Sequence, residues 1–185
     1  GGSGVGYSPR NAGSGGSIWL DIDRLAGTGW ISADGGNGTG DGGNGGGGRI
    51  AIRYTMLDGL DLDEQVTANG GSGSSKDPGA PGTIYLEETG TSGQLLIDSH
   101  GTPAASWTPL LETADVGGCV LDALIVRGAG VTVAPQTNFP IRAGQVTLAE
   151  GAVLTHRPTT ADTEYHLELT VAGELFIEAG AAIDL

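Results

Sequence analysis

Three segments of this chain begin alike: "GSIWLDI" from Gly16, "GRIAIRY" from Gly48 and "GTIYLEE" from Gly82. Ile18 and Ile50 are 32 residues apart, and Ile50 and Ile84 are 34 apart. Each start is followed by a second burst: "GWISADGG" from Gly29, "QVTANGG" from Gln65 and "GQLLIDSHG" from Gly93. A recurrence of that length belongs to a structural repeat, because helices and strands have periods of only 3.6 and 2 residues. Inside the bursts the pattern has period two. Ile18, Leu20 and Ile22 share one face and Trp19, Asp21 and Asp23 the other, and Ile50 and Ile52 likewise oppose Arg53, as in half-buried strands. No segment sustains a capped 3.6-residue pattern, and Gly or Pro interrupts almost every window of a dozen residues, so almost no helix is expected.

After residue 120 the spacing shortens. "LIVRGAGVTV" from Leu124, "VTLAEGAVLT" from Val146 and "LTVAGELFIEAG" from Leu169 step by 22 and 23 residues, and Val131, Val153 and Leu175 step by 22 and 22. Short strands that return in the same order predict an all-β fold, a right-handed parallel β-helix or β-solenoid. Stacked coils would then bury an aliphatic ladder that one coil could not bury alone. A β-sandwich also has short, evenly spaced strands, but it does not require the same patterns to recur in the same order. The reading is one block over residues 1–185, with repeats of about 33 residues over 1–119 and coils of about 22 over 120–185.

The glycines are the second constraint. "GGNGTGDGGNGGGG", residues 35–48, places ten glycines in fourteen positions, and residues 70–82 form a shorter relative at the same place in the next repeat. No Gly-Lys-Ser or Gly-Lys-Thr and no helix follows, which excludes a phosphate loop; G-x-G spacings carry no weight at this glycine density. The stretch matches a nonapeptide calcium loop only in part. That leaves Asp34 and Asp41 as calcium candidates, and no other cofactor is indicated. Otherwise the run is either a flexible loop or a structural layer, possible in polyglycine II-like form, in which backbone packs on backbone. The structural candidates are Gly35, Gly36, Gly38, Gly42, Gly43, Gly45, Gly46, Gly47 and Gly48, with residues 1–16 as a third segment.

With 22 acidic and 8 basic residues and a net charge of −14, the chain lacks the basic stripe that a nucleic-acid partner requires. No run of eighteen apolar residues suits membrane insertion. Cys119, the lone cysteine, rules out an intrachain disulfide and reads as a small core residue within "GGCVLDALIV". His100, His156 and His166 are dispersed without ligand spacing.

Gly15 to Leu20, Leu25 to Gly38 and Gly45 to Tyr54, followed by "GAPGTIYLEE", "GQLLIDSHG" and "LTVAGELFIEAGAAIDL", together resemble the glycine-rich β-solenoid repeats of very large bacterial secreted and cell-surface, adhesin-like proteins. The resemblance implies a right-handed β-helix, an extracellular or cell-surface location and an adhesive or structural role. No catalytic motif travels with it. The chain then resembles one register of a longer array, and its partners would be adjacent repeats or other copies joined through the solenoid ends.

An enzymatic β-helix would use outward carboxylates, here Asp21 and Asp23 beside Arg53, or Asp61, Asp63 and Glu64. Polar outward faces occur on solenoids without catalysis, so the expected role is non-catalytic. Trp19 and Tyr85 occupy equivalent positions, with Ala51 between them in the middle repeat. They are candidates for stacking on surface glycans, although packing favours their being covered by the glycine layer.

Overall fold

The computed structural model describes Gly2, residues 10–111 and residues 119–185. Residues 3–9 of the N-terminal glycine segment, and the side chain of Cys119, lie outside the described residues. The protein is all-β. In chain order the strands are β1 (Ser17–Ala26), β2 (Ile31–Ser32), β3 (Arg49–Asp58), β4 (Val66–Thr67), β5 (Thr83–Glu88), β6 (Gln94–Asp98) and β7 (Trp107–Leu110). They continue with β8 (Cys119–Arg127), β9 (Thr132–Pro135), β10 (Pro140–Ala149), β11 (Val153–Leu154), β12 (Glu168–Val171), β13 (Leu175–Ile177) and β14 (Ala182–Ile183). Among the described residues the one helix is α1 (Leu62–Gln65). Asp61 caps it by accepting from the Asp63 and Glu64 amides, while the Gln65 side chain accepts from the Asp61 amide.

The largest sheet has the order β1-β3-β5-β6-β8-β10-β12, with β13 also on β10. Its first three strands pair in parallel in the register that the repeats predict: Ile18 opposite Ile50 opposite Ile84. The second bursts of the first two repeats pair as β2 and β4, again in parallel.

The third repeat departs from this pattern. "GQLLID" does not stack on β4; it turns back as β6 and pairs antiparallel with β5, Ile84 facing Leu96 and Tyr85 facing Leu95. Only residues 89–93 separate the two strands. A parallel crossover needs about a dozen residues or more, whereas five suffice for a hairpin.

This hairpin changes the face on which the core lies. Ile50, Ile52, Ile84, Leu86 and Leu96 belong to a core that includes Ala33, Leu62, Val66 and Ala68. Beyond β6 the parallel pairs are Leu95 with Leu124 and Ile97 with Val126. Ile97, Leu124, Val126, Val146 and Leu148 belong to a second core, closed by Leu110, Val133 and Leu154 of the β7-β9-β11-β14 sheet. Since neighbours along a strand point to opposite faces, the two cores occupy opposite sides of one sheet. Within this sheet β6 is buried on both sides, with Leu96 in the first core and Ile97 in the second. The packing therefore divides at residues 89–93, whereas the spacing of the bursts changes near residue 119.

In the second stack each main strand bends. Ile141 and Ala143 are buried, and then Val146 and Leu148, so the alternation slips at Gly144. A Cβ on Gly144 would stand 2.7 Å from the Asp122 carbonyl oxygen, and one on Gly173 would stand 2.8 Å from that of Gly144. The corner is a column of closely approaching backbone. The last repeat differs from its 22-residue expectation: Val146 pairs with Leu175 and Val153 with Ala182, both 29 apart. The extra length lies in residues 155–167, which leave the strand pattern before β12 resumes it.

The glycine-rich segments pack backbone against backbone. Gly36 N donates to Gly13 O (2.9 Å), Gly45 N to Gly36 O (3.0 Å), Gly71 N to Gly45 O (2.8 Å) and Gly79 N to Gly71 O (2.9 Å), a chain of bonds through five successive segments. At Gly35, Gly36, Gly38, Gly42, Gly45, Gly47 and Gly48 a Cβ would lie between 1.7 and 2.6 Å from a neighbouring backbone oxygen. Gly43 and Gly46 have room, with nearest atoms at 3.5 and 3.6 Å. Close approach of chains, rather than left-handed backbone, excludes side chains at the seven crowded positions.

Candidate functional site

The acidic side chains proposed for calcium fasten one glycine loop to the next. Asp34 accepts from Thr67 Oγ1 (3.1 Å) and from the Asn69 amide (2.6 Å), and Asp41 accepts from Ser75 Oγ (2.9 Å). Asn44 does similar work from an amide, donating to Ser74 Oγ (2.9 Å) and to the carbonyls of Lys76 and Asp77 (both 3.1 Å). Calcium requires six to eight oxygens around one point. No group of three or more Asp, Glu, His or Cys among the described residues could hold a metal ion.

Trp19, Ala51 and Tyr85 form one row across β1, β3 and β5. The glycine layer does not cover it. Trp19 is 64% exposed, because the layer continues from the ends of β2 and β4, next to the first core, and Trp19 points to the other side of the sheet. Tyr85 is half-buried; its hydroxyl donates to Glu87 Oε2 (2.8 Å), with the Ser92 carbonyl oxygen also near at 3.1 Å, and its ring lies where a Gly93 side chain would stand. The next row is Asp21, Arg53 and Glu87, in which Arg53 bonds Glu87 at 2.8 Å. The hydrogen bond and charge of Glu87 raise the Arg53 guanidinium above its ordinary value. Asp23 does not join this pair. Asp61 serves as the helix cap.

The densest polar constellation lies where the two stacks meet, and sequence reasoning missed it. Asp98 ends β6 with its side chain almost fully buried, accepting from Arg127 Nε (2.5 Å) and from the His100 amide (2.7 Å). Arg127 extends across the seam to Asp63 Oδ1 (2.6 Å), at the helix of the first stack. His100 also crosses it, with Nδ1 at 3.0 Å from Asn69 Oδ1 and Nε2 at 3.1 Å from the Asp63 carbonyl. Burial by itself would lower the Arg127 guanidinium, but hydrogen bonds and attraction from Asp98 and Asp63 outweigh it and leave the group raised. Asp63, Glu64, Asp98, His100, Arg127 and Glu150 border an open cleft of about 430 Å³.

Both non-glycine residues with left-handed backbone among the described residues line this cleft: His100 at φ 46° and Glu150 at φ 54°. Each is followed by a left-handed glycine and closed by a turn bond, Thr102 N to Ser99 O and Ala152 N to Ala149 O. Such turns ordinarily take Asn or Gly at that position. The His100 side chain offsets its strain with its bonds across the seam. The cluster's chemistry is that of a polar lock: each charge on Asp98 and Arg127 is matched, and the two stacks are joined through it. No local motif announces it, because Asp63 and Arg127 are 64 residues apart.

No protein family matches the chain, and comparison with curated proteins and solved structures finds no similar protein.

Proposed function

We propose that this chain is a non-catalytic structural or adhesive module of a cell-surface or extracellular assembly, a parallel, right-handed β-solenoid with a polyglycine II-like layer that extends end to end into a fibre, filament or sheath. The observation that supports this reading is the change in burial along the stack. Ile50, Ile52, Val146 and Leu148 are buried in the interior rungs. The same ladder is half-buried at Ile18 and Leu20 of β1 and open at Leu175 (43% exposed) and Ile177 (42%) of β13. Among the described residues both edge strands also have one side without a partner strand, which is a template for further pairing. The natural cover is another rung of the same kind, from adjoining repeats or a second copy.

Covering an aliphatic side chain contributes about 1.5–3 kcal/mol. The cost of association is about 4–15 kcal/mol. The few open side chains at one end only just reach that range, so assembly should need high protein concentration. It should also strengthen with salt, which screens the repulsion between copies of net charge −14.

The test is sedimentation and electron microscopy of the purified chain at several concentrations and salt strengths, with and without a calcium chelator. Ordered end-to-end polymers that survive chelation and disappear in Ile177→Lys support the reading. A chain that stays monomeric at high concentration and salt sinks it. Polymers lost only on chelation would return Asp34 and Asp41 to consideration as metal ligands.

A second reading, a carbohydrate-binding or carbohydrate-processing β-helix, is favoured by the exposure of Trp19 beside the small Ala51, an aromatic platform suited to a sugar ring. Loss of glycan binding in Trp19→Ala would support it.

A further inference from the structure

Among the described residues Arg10, Arg49, Lys76 and Arg142 are exposed and without an ion pair, whereas Arg157 is half-buried and without one. Arg24 pairs with Asp58, Arg53 with Glu87, and Arg127 with Asp63 and Asp98. Arg157 is half-buried, yet no carboxylate among the described residues lies within ion-pair distance of it. Its guanidinium carbon stands 5.6 Å from the centre of the Trp107 ring and 5.1 Å from that of Tyr165. Among the described residues its one side-chain hydrogen bond runs from Nη1 to the Gln136 carbonyl (3.2 Å). Cation–π contact of this kind satisfies the charge without using up the guanidinium N–H groups, which stay available to an acceptor.

Arg157 borders a cleft of about 430 Å³, within the range of roughly 300–1,000 Å³ usual for ligand sites. Trp107 forms one wall. Thr132, register partner of Trp107, and the buried Ala134 lie on the face of β9 opposite the core residue Val133 and form the floor of the cleft. Thr155 adds a hydroxyl, and His156, whose Nδ1 is engaged by the Arg157 carbonyl (2.6 Å), has Nε2 for a ligand. An aromatic wall, threonine hydroxyls, an imidazole nitrogen and a planar cation match one saccharide ring carrying a carboxylate. A polyanion is disfavoured by the net charge of −14, so the ligand class is an isolated or terminal acidic sugar.

We propose that the Trp107–Arg157 cleft is a binding subsite for a uronic-acid ring. The subsite includes no residue of β1, β12 or β13, so it stands or falls apart from end-to-end assembly. It also uses none of the residues in the row of Trp19 and Tyr85.

The test is titration of the full chain with methyl glucuronide, followed by protein NMR, with methyl glucoside and acetate as controls. The expected result is glucuronide binding at least tenfold tighter than either control, with perturbed signals at Trp107. Arg157→Lys keeps the charge but loses the planar fork. It should weaken glucuronide at least tenfold while the folded chain keeps its circular-dichroism spectrum, and Trp107→Leu should abolish the preference for sugar over acetate. Acetate binding as well as glucuronide, undiminished binding in Arg157→Lys, perturbation mapping to Trp19, or no binding would each overturn the proposal.

Discussion

Gly45→Ala separates a packed glycine layer from a flexible loop by the sign of its effect. The new Cβ would stand 2.0 Å from the Gly13 carbonyl oxygen. A carbon–oxygen contact needs about 3.3–3.6 Å, so the two segments must part by more than an ångström. The bond from Gly36 N to Gly13 O, now 2.9 Å, cannot survive that separation, and the one from Gly45 N to Gly36 O, now 3.0 Å, is strained with it. Gly36 and Gly45 are buried, so the groups released do not find water freely. At about 1–3 kcal/mol for each buried group left without a partner, the substitution should cost about 2–4 kcal/mol. In a protein of this size that lowers the thermal midpoint by roughly 5–15 °C. In a flexible loop the same change would stabilise by about 0.4–1 kcal/mol, because alanine restricts the unfolded chain. Gly29→Ala is the internal control: it is exposed, has no neighbour within 4 Å and lacks left-handed backbone, so a neutral or slightly stabilising effect is expected. Thermal and urea unfolding followed by circular dichroism measure both. Equal effects of the two substitutions, or a stabilising Gly45→Ala, would refute the backbone-packing argument.

Two further outcomes follow from the seam and from the edge of the first core. Arg127→Gln leaves the buried Asp98 carboxylate without its cation and should cost about 2–3 kcal/mol, less than a fully buried pair because Arg127 is a quarter exposed. Adding Asp98→Asn should restore part of that loss, and a double-mutant cycle in urea reads the coupling. Burial, and then the charge of Glu88, raise the Tyr54 hydroxyl above its ordinary 10.0. Above that pH the unfolded chain loses this proton first, so the contribution is intact below pH 10 and is lost as pH rises through the folded-state value. Tyr54→Phe should therefore flatten the fall in stability with pH on the alkaline side, measured by urea midpoints across that range.

Parts of this architecture were legible because the physics that makes them is local or recurrent. Parallel strands paired in register place like on like, so Ile18, Ile50 and Ile84 could be aligned by counting, and the structure pairs them. The glycine run was legible as a place where side chains are unwelcome. The hairpin was not read, although its signal is present. Five residues between β5 and β6 are too few for a crossover, and the unbroken apolar run "LLI" belongs to a strand buried on both faces. The shift of the last repeat is hidden because residues 155–167 supply length without pattern, so bursts spaced at 22 residues pair at 29. The seam was the least legible. Asp63, Asp98, His100 and Arg127 meet only because the hairpin brings the two stacks together, and nothing in their spacing encodes that.

The hairpin also constrains how copies could join on the proposed function. From the first stack to the second, both the strand direction and the face carrying the core reverse, while the rungs keep advancing along one axis. Reversing those two together is a half-turn about the stacking axis. A following copy that continues the second stack with parallel strands and an unbroken aliphatic column must therefore itself be turned by about half a turn. A copy that repeats the internal antiparallel junction needs no rotation. With seven rungs in the main sheet at about 4.8 Å each, one copy advances about 34 Å, so the two joints predict axial repeats of about 67 Å and about 34 Å, sheet twist aside. Fibre images analysed for layer lines separate the two. A fibre with neither repeat and no 4.8 Å spacing along its axis would show that copies do not join through the open rungs at all.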